Sequence, residues 1–386
     1  VDLVLTQSER RVLDAIWRKG PIARAEIAEQ IGLSTAPVTR IAQRLLSEGL
    51  LAETVRHSGA RGNPMRPLEI AGQGAVAYGV SFSHRHLDVG IIDLSGNLVG
   101  AIRRDFDDAR PEVLTAAAQE GMAELDRMHA VDPKRVLGIG FAVPGDFKPG
   151  RRMINAHPYF PHLRGVDLIA AFSEKMPYPI YIENDCNAAA LGERVLGHGR
   201  TFQSFISIFV CHGIGGGVIL NGALHRGEHG NAGGIHAFFP LSGPRPSGHD
   251  LFDTMAREGA RIRDFPDFEA AGSLDLPGVR AWIDRAGAQL RDALTITARL
   301  FDPEAIVIGG RLPPQFLREI ADVIDDPAFC ADSPLAKPVV RASELGPRAG
   351  VIGAAAVVLY ARFLDADVPL PADTHIVPEI HRGTDD

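Results

Sequence analysis

Apolar positions recur at helical spacing three times before residue 50. Val12, Leu13, Ile16 and Trp17 share one face of a first helix, which Gly20-Pro21 stops. Ala25, Ile27, Ala28 and Ile31 form the stripe of a second, ended by Gly32. A third starts at Ser34 or Thr35, either a good N-cap, and carries Pro37 in its first turn, where the missing N–H does no harm. Its apolar stripe is Val38, Ile41, Ala42, Leu45 and Leu46, and Thr39, Arg40, Gln43, Arg44 and Ser47 lie opposite. A hairpin follows, with strands at 50–55 and from Pro67 to Ile70 around a Gly-rich tip at 57–64.

After Ala71-Gly72-Gln73-Gly74, which reads as a short linker, strand patterns dominate. Segments 76–82, 87–93 and 97–103 form a meander, with Leu94-Ser95-Gly96-Asn97 as one hairpin turn. A helix at 111–129 and an apolar strand at 136–143, ending in Pro144-Gly145-Asp146, complete a β/α unit. A second copy starts near Ser204, with strands at 205–210 and 217–220, a long helix at 279–300 and a strand at 305–308 running into Gly309-Gly310. The class is α/β: an N-terminal winged helix-turn-helix at 1–72, then a two-lobed, actin-like or ribonuclease-H-like body at 73–386. The lobes divide at about 185/186.

Two helices joined by a Gly-containing turn present the second to a DNA groove. That second helix needs hydrogen-bonding side chains on its outer face, and Ser34, Thr35, Thr39, Arg40, Gln43 and Arg44 supply them. Arg56, Arg61 and Arg66 cluster in the hairpin, with no acid between Glu53 and Glu69, and suit phosphate or the minor groove. The net charge of −8 speaks against DNA only until it is divided. Residues 1–70 hold ten basic and eight acidic side chains, while the rest hold thirty and forty, so a mildly basic head sits on an acidic body. The 45% hydrophobic composition, the absence of a long apolar run and a charged N-terminus predict a protein with neither membrane span nor signal peptide. Three scattered cysteines, Cys186, Cys211 and Cys330, argue against a disulfide framework and for the reducing cytoplasm.

Four stretches carry a resemblance. They are Gly138-Ile139-Gly140-Phe141-Ala142-Val143-Pro144-Gly145, Glu183-Asn184-Asp185-Cys186-Asn187-Ala188-Ala189-Ala190-Leu191-Gly192-Glu193, Gly213-Ile214-Gly215-Gly216-Gly217 and Phe301-Asp302-Pro303-Glu304-Ala305-Ile306-Val307-Ile308-Gly309-Gly310. From residue 6 to about 360 the chain resembles the ROK family of repressors, open reading frames and kinases, and the added winged helix resembles its repressor branch. In the kinases the aspartate matching Asp185 is the general base. Asn184, Asn155 and the adjacent Gly145 match sugar-binding positions, and Asp253 matches a sugar-contacting glutamate. Carboxylate and amide side chains of this kind satisfy several sugar hydroxyls at once. An alternative for Asn184-Asp185 is a turn that caps the following helix.

The departures weigh against catalysis. The kinases' acidic, Gly-rich phosphate turn is replaced by Ser81-Phe82-Ser83-His84-Arg85-His86, with no glycine for close backbone approach and no Asp for magnesium. Cys211-His212 replaces a Gly-Thr before the second glycine stretch. Phosphoryl transfer depends on positioning and charge neutralisation, so both losses predict no useful turnover. A sugar-binding Glu and a His of the family become Gly234 and Ala237, and the zinc-binding cysteines are absent. His225, His229, His236 and His249 are scattered loop residues, so no metal and no cofactor are expected. The expected function is therefore a DNA-binding transcriptional regulator, a repressor, acting on a double-stranded operator as a homodimer or homotetramer. It would answer a sugar or related polar effector in a degenerate kinase-like cleft. The alternative is an ATP-dependent sugar kinase with an attached DNA-binding domain, in which Asp185 remains catalytic.

Overall fold

The computed structural model describes residues 5–54, 66–240, 242–271, 274–331 and 336–364. The head contains α1 (Gln7–Lys19), α2 (Arg24–Ile31), α3 (Thr35–Ser47) and a two-stranded antiparallel wing, β1 (Leu51–Glu53) with β2 (Leu68–Ile70). Thr6 and Glu9 close a capping box on α1. Gly32 ends α2 at φ +67°, the left-handed turn that lets α3 start in a new direction. Val38, Ala42 and Leu45 are buried and anchor α3.

The body has two five-stranded sheets of the same design. The first contains β3 (Val76–Phe82), β4 (His86–Asp93), β5 (Leu98–Asp105), β6 (Val136–Val143) and β9 (Ile180–Asn184), in the order β5-β4-β3-β6-β9. Its first three strands are antiparallel and the remaining pairs parallel. A small hairpin, β7 (Gly145–Phe147) and β8 (Ile154–Ala156), projects beyond β6, and α4 (Pro111–His129) and α5 (Leu168–Ser173) cover the outer face.

The second sheet repeats the pattern as β12-β11-β10-β13-β14, with β10 (Phe205–Val210), β11 (Ile214–Leu220), β12 (Ala223–Leu224), β13 (Ala305–Gly310) and β14 (Val339–Ala342). Around it lie α7 (Gly248–Arg257), α8 (Phe265–Ala271), α9 (Pro277–Phe301) and α10 (Pro314–Ile324). The glycine stretch at 213–217 is mostly strand: Gly215, Gly216 and Gly217 pair in register with β10, leaving only a short turn at Cys211–Gly213.

Two helices run between the sheets. α6 (Asp185–Val195) leaves the first sheet and packs on β10 and β11 of the second, while α11 (Ala349–Phe363) returns to pack on β3 and β6 of the first. Glycine makes this possible: a Cβ at Gly140 would lie 1.8 Å from the carbonyl oxygen of Ala354.

The linker is not a free tether. Residues Gly72–Gly74 form a 3-10 turn, Ala71 N–H donates to Leu50 O at 2.9 Å, and Leu94 N–H donates to Gly72 O at 3.0 Å. The head shares its apolar core with the body, where Trp17 meets Phe363 with ring centroids 6.2 Å apart. Polar ties join them too. Arg194, at the C-terminal end of α6 and only 2% exposed, donates to Asp14 Oδ1 at 2.6 Å, and Arg10 donates to the carbonyl of Ala361 at 3.2 Å. Among the described residues no helix is long and apolar enough to cross a membrane.

Candidate functional site: an interlobe cleft and a DNA-facing helix

A cavity of about 610 Å³ opens between the lobes. Its floor is the junction of β9 and α6. Asn184 is the N-cap of α6, and its Oδ1 accepts from Cys186 N–H at 2.9 Å and Asn187 N–H at 3.2 Å. Its Nδ2 donates to Gly145 O at 3.1 Å and to Asp185 Oδ1 at 3.1 Å. The side chain caps the helix, as the alternative reading expected, and also lines the cavity. Asp185 occupies the first turn, where the helix dipole favours a carboxylate. Burial nevertheless pushes its pKa up, opposed by bonds from Cys186 and by Arg311.

Gly145, at φ +142°, and Asn155 reach the same cavity from the projecting hairpin. A Cβ at Gly145 would sit 2.4 Å from Asn155 O, so this hairpin closes only around glycine. Asn155 is exposed to the cavity. Asp253 is placed differently: it lies on α7, outside the cavity lining, with its side chain 59% exposed and 3.6 Å from His249 Nε2. Its i,i+4 spacing to His249 turns it along the helix surface.

Beside this floor, the Ser81–His86 turn is locked to the second lobe. His86 Nδ1 lies 3.1 Å from Asp264 Oδ2, and His212 Nε2 lies 3.1 Å from Asp264 Oδ1. Arg311, 5% exposed, contacts Asp88 Oδ2 at 3.0 Å and donates to Ser81 Oγ at 2.9 Å and Phe82 O at 3.0 Å. Burial raises the Asp264 pKa, but the two imidazoles beside it hold the carboxyl below its ordinary range. Burial lowers His86, yet Asp264 and Asp88 outweigh it and its pKa rises, whereas for His212 burial wins and the pKa falls. A second interlobe tie runs from the buried Glu183 to Arg226 at 2.7 Å, and Arg151 of the same lobe as Glu183 joins it at 3.2 Å.

Aromatic and imidazole rings form the cavity's other wall. His84 stacks on Tyr159 with centroids 3.8 Å apart, and Tyr159 Oη lies 2.9 Å from His249 Nδ1. Burial pushes the Cys211 thiol up to about 12, helped by the charge of Asp185, which leaves it unreactive. Among the described residues no three His, Cys, Asp or Glu side chains are placed to hold a metal ion.

In the head, Ser34, Thr35, Arg40, Gln43 and Arg44 are exposed and Thr39 is half-buried. Ser34 occupies the N-cap position without a side-chain capping bond. Thr39 Oγ1 donates to Thr35 O at 2.9 Å. Arg44 reaches back to Glu9 of α1, so part of its guanidinium is engaged within the head. Arg66 is exposed and lies 3.4 Å from Glu53, which also binds Arg24. Arg56 and Arg61 lie outside the described residues.

A head of this design on a two-lobed body with a ligand-sized interlobe cleft defines a DNA-binding regulator built on a kinase-type fold. The chain belongs to the ROK family. Residues 77–244 match the ROK family model and residues 5–52 match a winged helix-turn-helix DNA-binding model. A Sinorhizobium fredii relative, the uncharacterized protein y4fQ, is 36% identical over 94% of this chain and 93% of its own. The xylose repressor of Bacillus subtilis is 25% identical over 79% of this chain and 82% of its own. A solved ROK family transcriptional regulator, a homolog of the Escherichia coli Mlc protein, shares the fold. It has a TM-score of 0.67 and 23% identity, over 92% of this chain and 96% of that one. The pairing of the two matched regions marks this chain as a transcriptional regulator of the family.

Proposed function

We propose that this protein represses transcription from a two-fold-related operator as a dimer or larger assembly, and that a sugar or related polar effector in the interlobe cleft changes its grip. One helix-turn-helix covers too few base pairs for genomic selectivity, and symmetric pairing doubles the contact. Ser34, Thr35, Thr39, Arg40, Gln43 and Arg44 would face DNA, with Arg56, Arg61 and Arg66 of the wing on phosphate. Gly145, Asn155, Asn184 and Asp185 would frame the effector. We keep Asp253 only as a contact that a closing movement would have to bring in.

The protein would not phosphorylate its effector. The observation that carries this is the turn at residues 81–86, where His86, Asp264 and His212 occupy one another and Arg311 is consumed by Asp88 and Ser81. Donors already bonded to protein carboxylates are not free to cradle a phosphate. Selection from random duplexes, paired with an ADP-release assay over a sugar panel, tests the reading. The expected result is a palindromic site whose affinity drops about ten- to hundredfold in Arg40→Ala, a loss of roughly 1–3 kcal/mol. Turnover should stay far below about 1 per second. Kinase-level turnover, or duplexes without a common sequence, would overturn it.

A further inference from the structure

Among the described residues, Arg245 is a cleft cation without a counter-charge. Arg245 lies between a 3-10 turn (Ile235–Phe238) and α7, lines the cavity and is half-buried. Its hydrogen bond to protein runs from Nη2 to His236 O, at a long 3.4 Å. Its Nε is buried without an acceptor. Among the described residues it pairs with no carboxylate, and burial alone pulls its pKa down. The other arginines of the cleft region differ: Arg151 and Arg226 hold Glu183, and Arg311 holds Asp88.

The neighbours of Arg245 are mostly bases. Burial pushes His157 down to about 4, and the basic side chains His212, Arg245, His249 and His84 add to the shift. Two acids line the cavity, Asp146 and Asp185; burial holds Asp185 toward its neutral form, and among the described residues neither is paired with Arg245. Gly233, Gly234 and Ala237 line the cavity without any polar side chain, so they offer Arg245 no competing acceptor. A guanidinium with a buried, unmatched N–H is costly until a ligand supplies the acceptor. Its planar fork fits two oxygens of one carboxylate or phosphate better than a single hydroxyl.

We propose that the effector is anionic, a sugar acid or a sugar phosphate, with its carboxylate or phosphate received by the Arg245 fork and its hydroxyls turned toward Asn155 and Asp185. This rests on the reading of the cleft as an effector site.

The test uses the full chain and calorimetric titration. The probes are glucuronate and gluconate as the carboxylate arm, glucose 6-phosphate as the phosphate arm, and glucose as the neutral control. At least one anionic probe should bind tenfold or more tighter than glucose. Arg245→Gln should weaken that probe at least tenfold while changing glucose less than twofold. Arg245→Lys, which keeps the charge and loses the fork, should fall between and guards against a variant that fails to fold. The arm that responds tells carboxylate from phosphate. Neutral glucose binding as tightly as every anionic probe, no binding by any anionic probe, or an unchanged preference in Arg245→Gln would each overturn the proposal. The regulator reading fails on a different measurement, the absence of a selected operator, so the two are separable.

Discussion

His157 shows how far a single side chain feels the charge of the cleft. Its folded pKa is about 4, against about 6.5 for a free imidazole. Between those values the unfolded chain binds a proton that the folded chain refuses, so stability falls as pH drops from 6.5 toward 4. The loss should be roughly 1–2 kcal/mol after allowance for the ring's partial exposure. His157→Asn should shrink the difference between urea unfolding at pH 6.5 and at pH 4.5 by that amount. An unaltered difference would refute the assignment. At this scale the sequence was readable where function and local structure coincide. Asn184 and Asp185 stand out as a polar pair at a strand end, and they do line the cavity. Asp264 and Arg311 carry no such mark. Asp264 sits among other loop charges and Arg311 just after a strand, and each is brought beside the cleft only by contacts across more than 170 residues.

At the scale of elements, α6 is the piece that touches everything. Asp185 in its first turn lines the cavity, and Arg194 in its last turn is buried against Asp14 of α1, about 15 Å away along the axis. α1 in turn holds α3 through Glu9 and Arg44. These contacts form a continuous chain from the cleft to α3, the route tested below. Removing Asp14 alone strands a buried guanidinium, so Asp14→Ala should cost roughly 3–5 kcal/mol in chemical denaturation. The triple change Asp14→Leu, Arg18→Met and Arg194→Met should recover most of that stability, because Asp14 holds Arg18 at 3.1 Å as well as Arg194 and a buried ionic cluster replaced by apolar groups is close to neutral. It should also erase the effector's influence on operator affinity, which is about 1–3 kcal/mol in typical coupled systems. Wild-type coupling in that stable triple variant would place the route elsewhere. The periodic helices of the head were legible because one face is wet. α11 was not: every residue except Arg362 is buried, so no polar stripe reveals its period.

For the whole molecule, Arg311 is the bolt between the lobes. It leaves the second sheet after β13 and contacts Asp88, Ser81 and Phe82 of the first. Arg311→Ala should lower stability by roughly 1–3 kcal/mol, since Asp88 would keep His86 and Arg103 but lose its bond to Arg311, and Ser81 and Phe82 O would lose their donor. The radius of gyration in small-angle scattering should also rise as the lobes part. A variant unchanged in both would mean that α6 and α11 alone hold the halves. The two-lobed design itself was legible in the repeated strand-and-turn pattern. The docking of the head was not, because a short Gly-rich linker gives no hint that the turn it forms is bonded on both sides.

α11 has a consequence for how the molecule is made. The helix that covers β3 and β6 and receives Trp17 of the head is encoded after almost everything it covers. A nascent chain on the ribosome thus carries a head whose core is incomplete and an open sheet, with the apolar faces of β3 and β6 uncovered until α11 has emerged. Folding from the N-terminus onward cannot complete the first lobe, and such exposed strands invite aggregation. The head gains its fixed perch, and with it any ability to report on the cleft, only after translation has passed that point.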